Sequence, residues 1–152
     1  MIKTYAKGRG FELDMLHYLN SKGFSCIRAP SSGGAMTPAD VIAMRKGLIL
    51  ALELKNHMLK PKLTKEKVDR FKEWCERAGA IGFLVWKNGT RWLFLQMKDI
   101  VENNYEDERW IEMKDILSAL GVECNICIFL DIRLQIKEKI NGKMKIVVHF
   151  LL

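Results

Sequence analysis

The sequence predicts an α/β protein with a central mixed five-stranded sheet flanked by helices and a β-hairpin at its C-terminal end. Three observations indicate this. Two segments carry apolar residues at helical spacing, and a glycine follows each of them. Five short apolar runs are bounded by turn residues, as β-strands are. Near the C-terminus, two strand-like stretches flank Asn141-Gly142, a dipeptide typical of tight hairpins.

The first third of the chain is predicted to form a helix, a strand and a loop. Residues 8–22 are predicted helical, with Gly23 at the stop position. Their apolar residues recur at helical spacing: Phe11, Met15, Leu16 and Leu19. A short strand is expected over 24–29. The stretch 30–38 contains two prolines, two serines and two glycines, which predicts a loop.

The middle of the chain is predicted to form a hairpin followed by a capped helix. Apolar runs at 39–44 and 48–55 are separated by Arg45-Lys46-Gly47, which predicts two antiparallel strands. A basic, irregular stretch follows. Thr64 is then expected to cap a helix that runs to about Ala78 and ends at Gly79.

The rest of the chain is predicted to form two more strands, a partly helical stretch and the terminal hairpin. Strands over 81–86 and 91–96 are joined by a segment that contains Asn88-Gly89. One or two short helices are expected within 97–121. Beyond Gly121 the pattern becomes strand-like. We therefore predict a main domain over 1–121 and an appended hairpin over 122–152.

Composition favours a single compact domain that binds a polyanion. The chain has 152 residues, 49% of them hydrophobic, which is enough for a core. Its formal charge is +7, an excess most often matched to nucleic acid. No stretch has the length and apolarity of a signal peptide or a membrane span. We expect no membrane partner and a cytoplasmic, intracellular location, which would be the host's cytoplasm for a viral protein.

The four cysteines do not indicate a metal or disulfide framework. Cys124 and Cys127 have the spacing of a zinc or redox pair, but the sequence has no second pair to complete a zinc site. The same residues open an apolar strand-like run. We therefore favour reduced thiols in a strand over zinc or redox chemistry.

A cluster of charged residues in the predicted hairpin indicates phosphodiester chemistry. In a strand, Glu53 and Lys55 point to the same face, and the hairpin brings Asp40 beside them. Two neighbouring carboxylates suit a hard divalent cation, while a lysine can orient water or stabilise charge on phosphate. The alternative is a solvated sheet face. The surrounding run of leucines, isoleucine and alanine argues against that alternative, because a buried charge needs a partner.

Several motifs occur in one order that resembles the archaeal Holliday junction resolvases, a family also found in viruses and phages. They are Lys7-Gly8-Arg9-Gly10-Phe11-Glu12, Lys22-Gly23-Phe24, Arg28 to Gly34, Pro38 to Ala43, Glu53-Leu54-Lys55 and Arg77-Ala78-Gly79-Ala80. The resemblance spans residues 3 to about 100 and implies a restriction-endonuclease-like core of the PD-(D/E)xK type. It also implies a homodimer that nicks four-way junctions symmetrically.

The resemblance implies a role for each matching residue. Asp40 and Glu53 would bind Mg²⁺, for which Mn²⁺ should substitute, with the Leu54 carbonyl as a further ligand and Glu12 as an additional acidic residue. Lys55 would be the catalytic lysine. Ser31 and Ser32 would lie in a loop that approaches the DNA near the cut strand, and we count Ser32 among the catalytic residues. Two positions depart from the family: Leu13 stands where many relatives have arginine, and Lys67 where they often have glutamine.

Basic residues flank the predicted site on both sides in sequence, as a phosphate-binding groove requires. With the two serines of the loop, the predicted DNA-binding residues are Lys3, Lys7, Arg9, Arg28, Lys60, Lys62, Lys65 and Lys67. A junction enzyme reads DNA shape and backbone more than base sequence. Two other functions stay open: a nuclease of the same chemistry acting on other branched or duplex DNA, and a non-catalytic DNA-binding module.

Overall fold

The computed structural model describes residues 2–29 and 37–120 and four two-residue strands between 134 and 148. For residues 2–9 and for those four strands, only the backbone is described. The chain divides into two compact units, Met1–Glu112 and Met113–Leu152, and each is taken by itself below. The domain boundary expected at 121 stays a prediction.

The first unit is built on one mixed sheet of six strands, which follow each other across the sheet in chain order. Their bounds are Ser25–Arg28 (β1), Val41–Arg45 (β2), Leu48–Lys55 (β3), Ile81–Asn88 (β4), Arg91–Gln96 (β5) and Ile111–Glu112 (β6). All neighbours run antiparallel except β3 and β4, which are parallel. The predicted α/β fold with a mixed sheet is confirmed. The sixth strand was not predicted, because two residues carry no periodic signal.

In the part of the chain that the structure describes there are four helices and one 3-10 turn, at Asp107–Arg109. Their bounds are Ile2–Ser21 (α1), Lys65–Ala78 (α2), Met97–Val101 (α3) and Met113–Ala119 (α4). None of them is long and apolar enough to cross a membrane. Helix α1 begins six residues before the predicted start. Gly8 and Gly10 lie inside it, although each glycine costs a helix about 1 kcal/mol relative to alanine.

Helix α2 connects the parallel strands β3 and β4, and its ends match the prediction. The Thr64 side chain accepts a hydrogen bond from the Lys67 N–H, which satisfies one of the free donors of the first turn. Gly79 ends the helix at φ 61°, a left-handed conformation that glycine adopts at little cost. A single connecting segment separates β3 from the first turn of α2, which carries Lys67.

The hairpin of β2 and β3 carries the acidic residues of the predicted site. Its two-residue loop, Lys46-Gly47, has positive φ at both positions (46° and 85°), as a type I′ turn requires. The loop is thus one residue shorter than predicted. Strand β3 is central in the sheet, and Leu50 to Leu54 are all buried. A charged residue inside this strand is therefore placed in the core.

Two clusters of buried side chains hold the elements of the first unit together. Phe71 and Cys75 of α2 pack with Ala39 and Ala51 under the β2–β3 hairpin. Nearer the start of α2, Val68 joins a second cluster of residues from β4, β5, α3 and the segment after it. Its buried members also include Leu84, Trp86, Leu95, Ile100, Tyr105 and Trp110. Helix α2 is therefore fixed against the sheet through both clusters.

The second unit contains α4 and two short antiparallel strand pairs. Lys139–Ile140 (β8) pairs with Lys143–Met144 (β9) on either side of residues 141–142. Leu134–Gln135 (β7) pairs with Val147–Val148 (β10), farther along the chain on either side of the same two residues. This pairing agrees with the hairpin that Asn141-Gly142 predicted. The cysteine pair at 124 and 127 lies outside the described residues.

Candidate active site

Asp40 lies immediately before β2 and is tied to β3 through both its backbone and its side chain. Its N–H donates to the Leu52 carbonyl at 2.8 Å, and its Oδ2 accepts from the Leu54 N–H at 2.7 Å. The Ala29 N–H, at the end of β1, donates to the Asp40 carbonyl at 2.9 Å. Asp40 is 7% exposed. These contacts hold its carboxylate beside Glu53, at the end of the hairpin away from the turn.

Glu53 is fully buried in β3, and two lysines bind the same oxygen of its carboxylate. Lys55 Nζ is 2.5 Å from Oε1, and Lys67 Nζ is 2.6 Å from it. Lys55 reaches it because residues two apart in a strand share a face. Lys67 reaches it from the first turn of α2. The burial of Glu53 excludes the alternative that this segment is a solvated sheet face.

The second oxygen of Glu53 has no hydrogen-bond partner. Oε2 is buried and is one of two such unpaired side-chain atoms in the described part of the chain. An unpaired, buried carboxylate oxygen is costly, so an atom of this kind at a polar site calls for an explanation. A bound cation supplies one. Both carboxylates are hard oxygen donors of the kind that divalent cations prefer.

The electrostatics of the pair agree with a cation site. Burial raises the pKa of Glu53 above its ordinary range, and the nearby charge of Asp40 raises it further, while Lys55 and Lys67 lower it. Two neighbouring carboxylates of which one is fully buried repel each other, and a divalent cation between them would remove that repulsion. Asp40 and Glu53 therefore fit a divalent metal. The Leu54 carbonyl, on the residue between Glu53 and Lys55, remains the predicted further ligand.

Glu12 is not assembled with these two carboxylates. It lies in α1, where its carboxylate forms an ion pair with Arg28 of β1. Within residues 2–29 and 37–120, no three His, Cys, Asp or Glu side chains come together as a metal-binding group. The role of Glu12 at the metal stays a prediction, and in this structure Arg28 occupies its carboxylate.

Apart from Arg28, which pairs with Glu12, and Lys67, which pairs with Glu53, the predicted DNA-binding residues fall into three groups. Lys60 and Lys62 both contact Tyr105: Lys60 donates to its carbonyl and forms an ion pair with Asp107, while Lys62 lies 5.1 Å from the ring centre. Lys65 is exposed at the start of α2. The structure does not describe the side chains of the remaining predicted residues, which are Lys3, Lys7, Arg9, Ser31 and Ser32.

Sequence reasoning missed the place of Lys67 in the site. It was assigned to DNA binding, but its ammonium group is on Glu53. One signal in the sequence was its position three residues after the cap Thr64, which sets its helical turn but not its direction. The other was that it stands where relatives often have glutamine. The structure also shows a hydrogen bond that the sequence did not predict. Just after β3, the Trp86 indole N–H donates to the His57 carbonyl at 2.9 Å.

Known proteins resemble this chain in sequence and in structure. Residues 3–123 match the family model described as archaeal Holliday junction resolvase (Hjc). The crossover junction endodeoxyribonuclease Hjc of Sulfolobus acidocaldarius is 34% identical over 98 residues, which cover 62% of this chain and 68% of the relative. The protein of the same name from Methanocaldococcus jannaschii is 33% identical over 96 residues, covering 62% and 69%.

A third relative of that name, from Sulfurisphaera tokodaii, is 32% identical over 88 residues, and the match covers 61% of its length. Among solved structures, the Holliday junction resolvase Hjc of Archaeoglobus fulgidus superposes with a TM-score of 0.54 at 28% identity. That match covers 58% of this chain and 74% of the other. With the fold and the Asp40, Glu53 and Lys55 set in place, the chain belongs to the archaeal Holliday junction resolvase family, whose members are crossover junction endodeoxyribonucleases.

Proposed function

We propose that this chain resolves four-way DNA junctions by Mg²⁺-dependent hydrolysis of phosphodiester bonds, acting as a homodimer. The observation that supports it best is the fully buried Glu53, with one oxygen held by two lysines and the other unpaired beside Asp40. This is a site prepared for a divalent cation, in a chain of a junction-cutting family. A protein that cuts DNA junctions is expected inside the cell, in the host's cytoplasm if the protein is viral.

In this proposal Asp40 and Glu53 hold the cation, with the Leu54 carbonyl and Glu12 as further oxygen donors. Mg²⁺, or Mn²⁺ in its place, would supply Lewis-acid activation of the phosphate and of the attacking water. Lys67 keeps Oε1 of Glu53 in place from α2. Lys55, whose side chain is 26% exposed, has its ammonium group between Glu53 and solvent, where it can donate to a phosphate oxygen.

The basic residues around the site would bind the DNA backbone. Lys60, Lys62 and Lys65 follow β3 directly, and Arg28 precedes the loop that contains Ser31 and Ser32. Lys3, Lys7 and Arg9 lie along the first turns of α1. Each phosphate that such residues neutralise releases counterions, so junction binding should weaken steeply with salt. Ser32 would act in the reaction from the loop at the cut strand.

The test is cutting of a labelled synthetic four-way junction, with Mg²⁺ or EDTA, beside a linear duplex of the same sequence. We expect paired symmetrical nicks that require Mg²⁺ and spare the duplex. Equal cutting of the duplex would support a general nuclease instead. Tight junction binding without cutting would support the non-catalytic DNA-binding module. Sedimentation of the free protein tests the homodimer, since a monomer cannot place two sites across a junction.

Asp40→Asn should abolish detectable cutting while the protein still folds and binds the junction. The amide oxygen can still accept from the Leu54 N–H, so the local fold is kept, but the charge that attracts the cation is lost. Asp69→Asn is the matched control, because Asp69 is an exposed aspartate on α2. Cutting by Asp40→Asn at the control's rate would contradict the assignment of the site.

A further inference from the structure

Two large apolar side chains are exposed directly after the candidate active site. Met58 is 98% exposed and Leu59 is 82% exposed, more than any other large apolar side chain among the residues whose side chains are described. They lie at a bend in the segment 56–64, which joins β3 to α2. Exposed adjacent apolar side chains of this size mark a surface that contacts something else. We call this pair the Met58-Leu59 tip.

The segment that carries the tip is fixed at both of its ends. Before the tip, the His57 carbonyl accepts a hydrogen bond from the Trp86 indole N–H. After it, Pro61 is buried, and the Leu63 N–H donates to the Tyr105 hydroxyl at 3.4 Å. Trp86 itself packs edge-on against Trp110 at 5.6 Å. The tip therefore projects from a segment that hydrogen bonds hold on both sides. Side chains that insert into another molecule need such a fixed support.

The surroundings of the tip are concave and rich in lysines, three of which (Lys55, Lys60 and Lys87) also pair with carboxylates of this chain. A cavity of about 450 Å³ lies on one side and includes Lys55, Lys60 and Lys62 in its lining. A second of about 400 Å³ includes Lys87, and both cavities share His57 and Met58. The sequence has no acidic residue between Glu53 and Glu66. This local excess of basic residues favours a polyanion as the partner.

We propose that the Met58-Leu59 tip is an apolar wedge that contacts base faces at the branch point of a junction. This inference rests on the proposed function. Methionine and leucine are among the residues that proteins insert between base steps, while cations hold the flanking phosphates. Base pairs at a branch point lack a stacking neighbour on one side when the arms separate. The wedge would thus select branched DNA over duplex and place a strand near Lys55.

The test uses a four-way junction with 2-aminopurine, a fluorescent base, at the branch point, in EDTA so that nothing is cut. We expect the wild-type protein to raise the fluorescence, because the base becomes unstacked. Met58→Ser with Leu59→Ser should abolish the rise and weaken junction binding by about tenfold, the effect of losing contact with one base, with duplex binding unchanged. Val101→Ser is the control, because Val101 is 45% exposed and far in sequence from the tip.

Each result decides the inference. A double variant that keeps the fluorescence rise and the preference for junctions overturns it, and so does an equal loss of junction and duplex binding. A loss of self-association, measured by sedimentation, would show instead that the tip contacts a second copy. If the wild-type protein cuts junctions and the double variant behaves like wild type, the wedge alone is wrong. If the wild-type protein neither binds nor cuts junctions, the proposed function fails with it.

Discussion

At the scale of single residues, Lys55 and Lys67 together offset the cost of burying the negative charge of Glu53. A carboxylate at 0% exposure would be strongly disfavoured alone, and Glu53 has two lysines on one oxygen to offset this. Both lysines are partly exposed, at 26% and 23% of their side chains. The sequence was sufficient to predict that Asp40, Glu53 and Lys55 lie together, because spacing within a hairpin fixes their neighbourhood. It could not select Lys67, whose direction depends on how α2 packs on the sheet.

Lys67→Met should lower the free energy of unfolding by about 1–2 kcal/mol in EDTA, because a buried carboxylate oxygen loses one of its two charged donors. Urea denaturation measures this. Lys67→Arg keeps a cationic donor and should recover part of the loss. Lys65→Met is the matched control, since Lys65 lies in the same helical turn but is exposed. Equal stabilities for Lys67→Met and Lys65→Met would show that the contact with Glu53 contributes nothing.

Elements were predictable where a cap or a turn marked their ends. Thr64 and Gly79 fix the ends of α2 chemically, so its bounds agree with the prediction. The start of α1 was predicted six residues too late, because its first turn carries no acidic residue to mark it. Strand β6 is held by pairing with β5 over two residues, and that pairing is a tertiary contact which no local pattern encodes.

The contact of β4 with α2 and α3 gives a prediction at the scale of elements. A Cβ at Gly82 would lie 2.8 Å from the Cys75 sulfur and 2.9 Å from the Met97 methyl carbon. Gly82→Ala should therefore destabilise the protein by about 1–3 kcal/mol through overpacking, measured by thermal unfolding. Gly10→Ala, which meets nothing within 4 Å, should not destabilise.

Cys75→Ala removes the sulfur, so the cost of Gly82→Ala should be smaller in that background. An unchanged cost would show that Cys75 is not the obstacle. Burial also raises the pKa of the Cys75 thiol to about 12. Cys75 is therefore inert packing between α2 and the sheet rather than a reactive group.

At the scale of the whole molecule, burial of Glu53 makes stability depend on pH. The raised pKa means that folded Glu53 binds its proton more tightly than the unfolded chain, where the ordinary value is 4.5. In EDTA, its contribution to stability therefore increases as pH falls through the folded pKa and becomes constant below 4.5. A bound divalent cation would hold the carboxylate ionised, and its stabilisation should be lost over the same range of pH.

The measurement is the free energy of unfolding of the wild-type protein minus that of Glu53→Gln, at a series of pH values in EDTA. The subtraction isolates the titration of this one carboxyl from all others. We expect the difference to rise on acidification and then to level off. A difference that is flat, or that falls as the solution becomes more acidic, would contradict the raised pKa.

The placement of the site within one stretch of chain has a consequence for how the protein folds. Asp40 lies just before β2, Glu53 and Lys55 lie in its hairpin partner β3, and Lys67 lies in α2, the next helix along the chain. Their contacts bridge short sequence separations, and short loops close at low entropic cost. The residues of the candidate site are thus brought together by a local part of the topology. We therefore expect these four side chains to come together early in folding, before β3 pairs with β4.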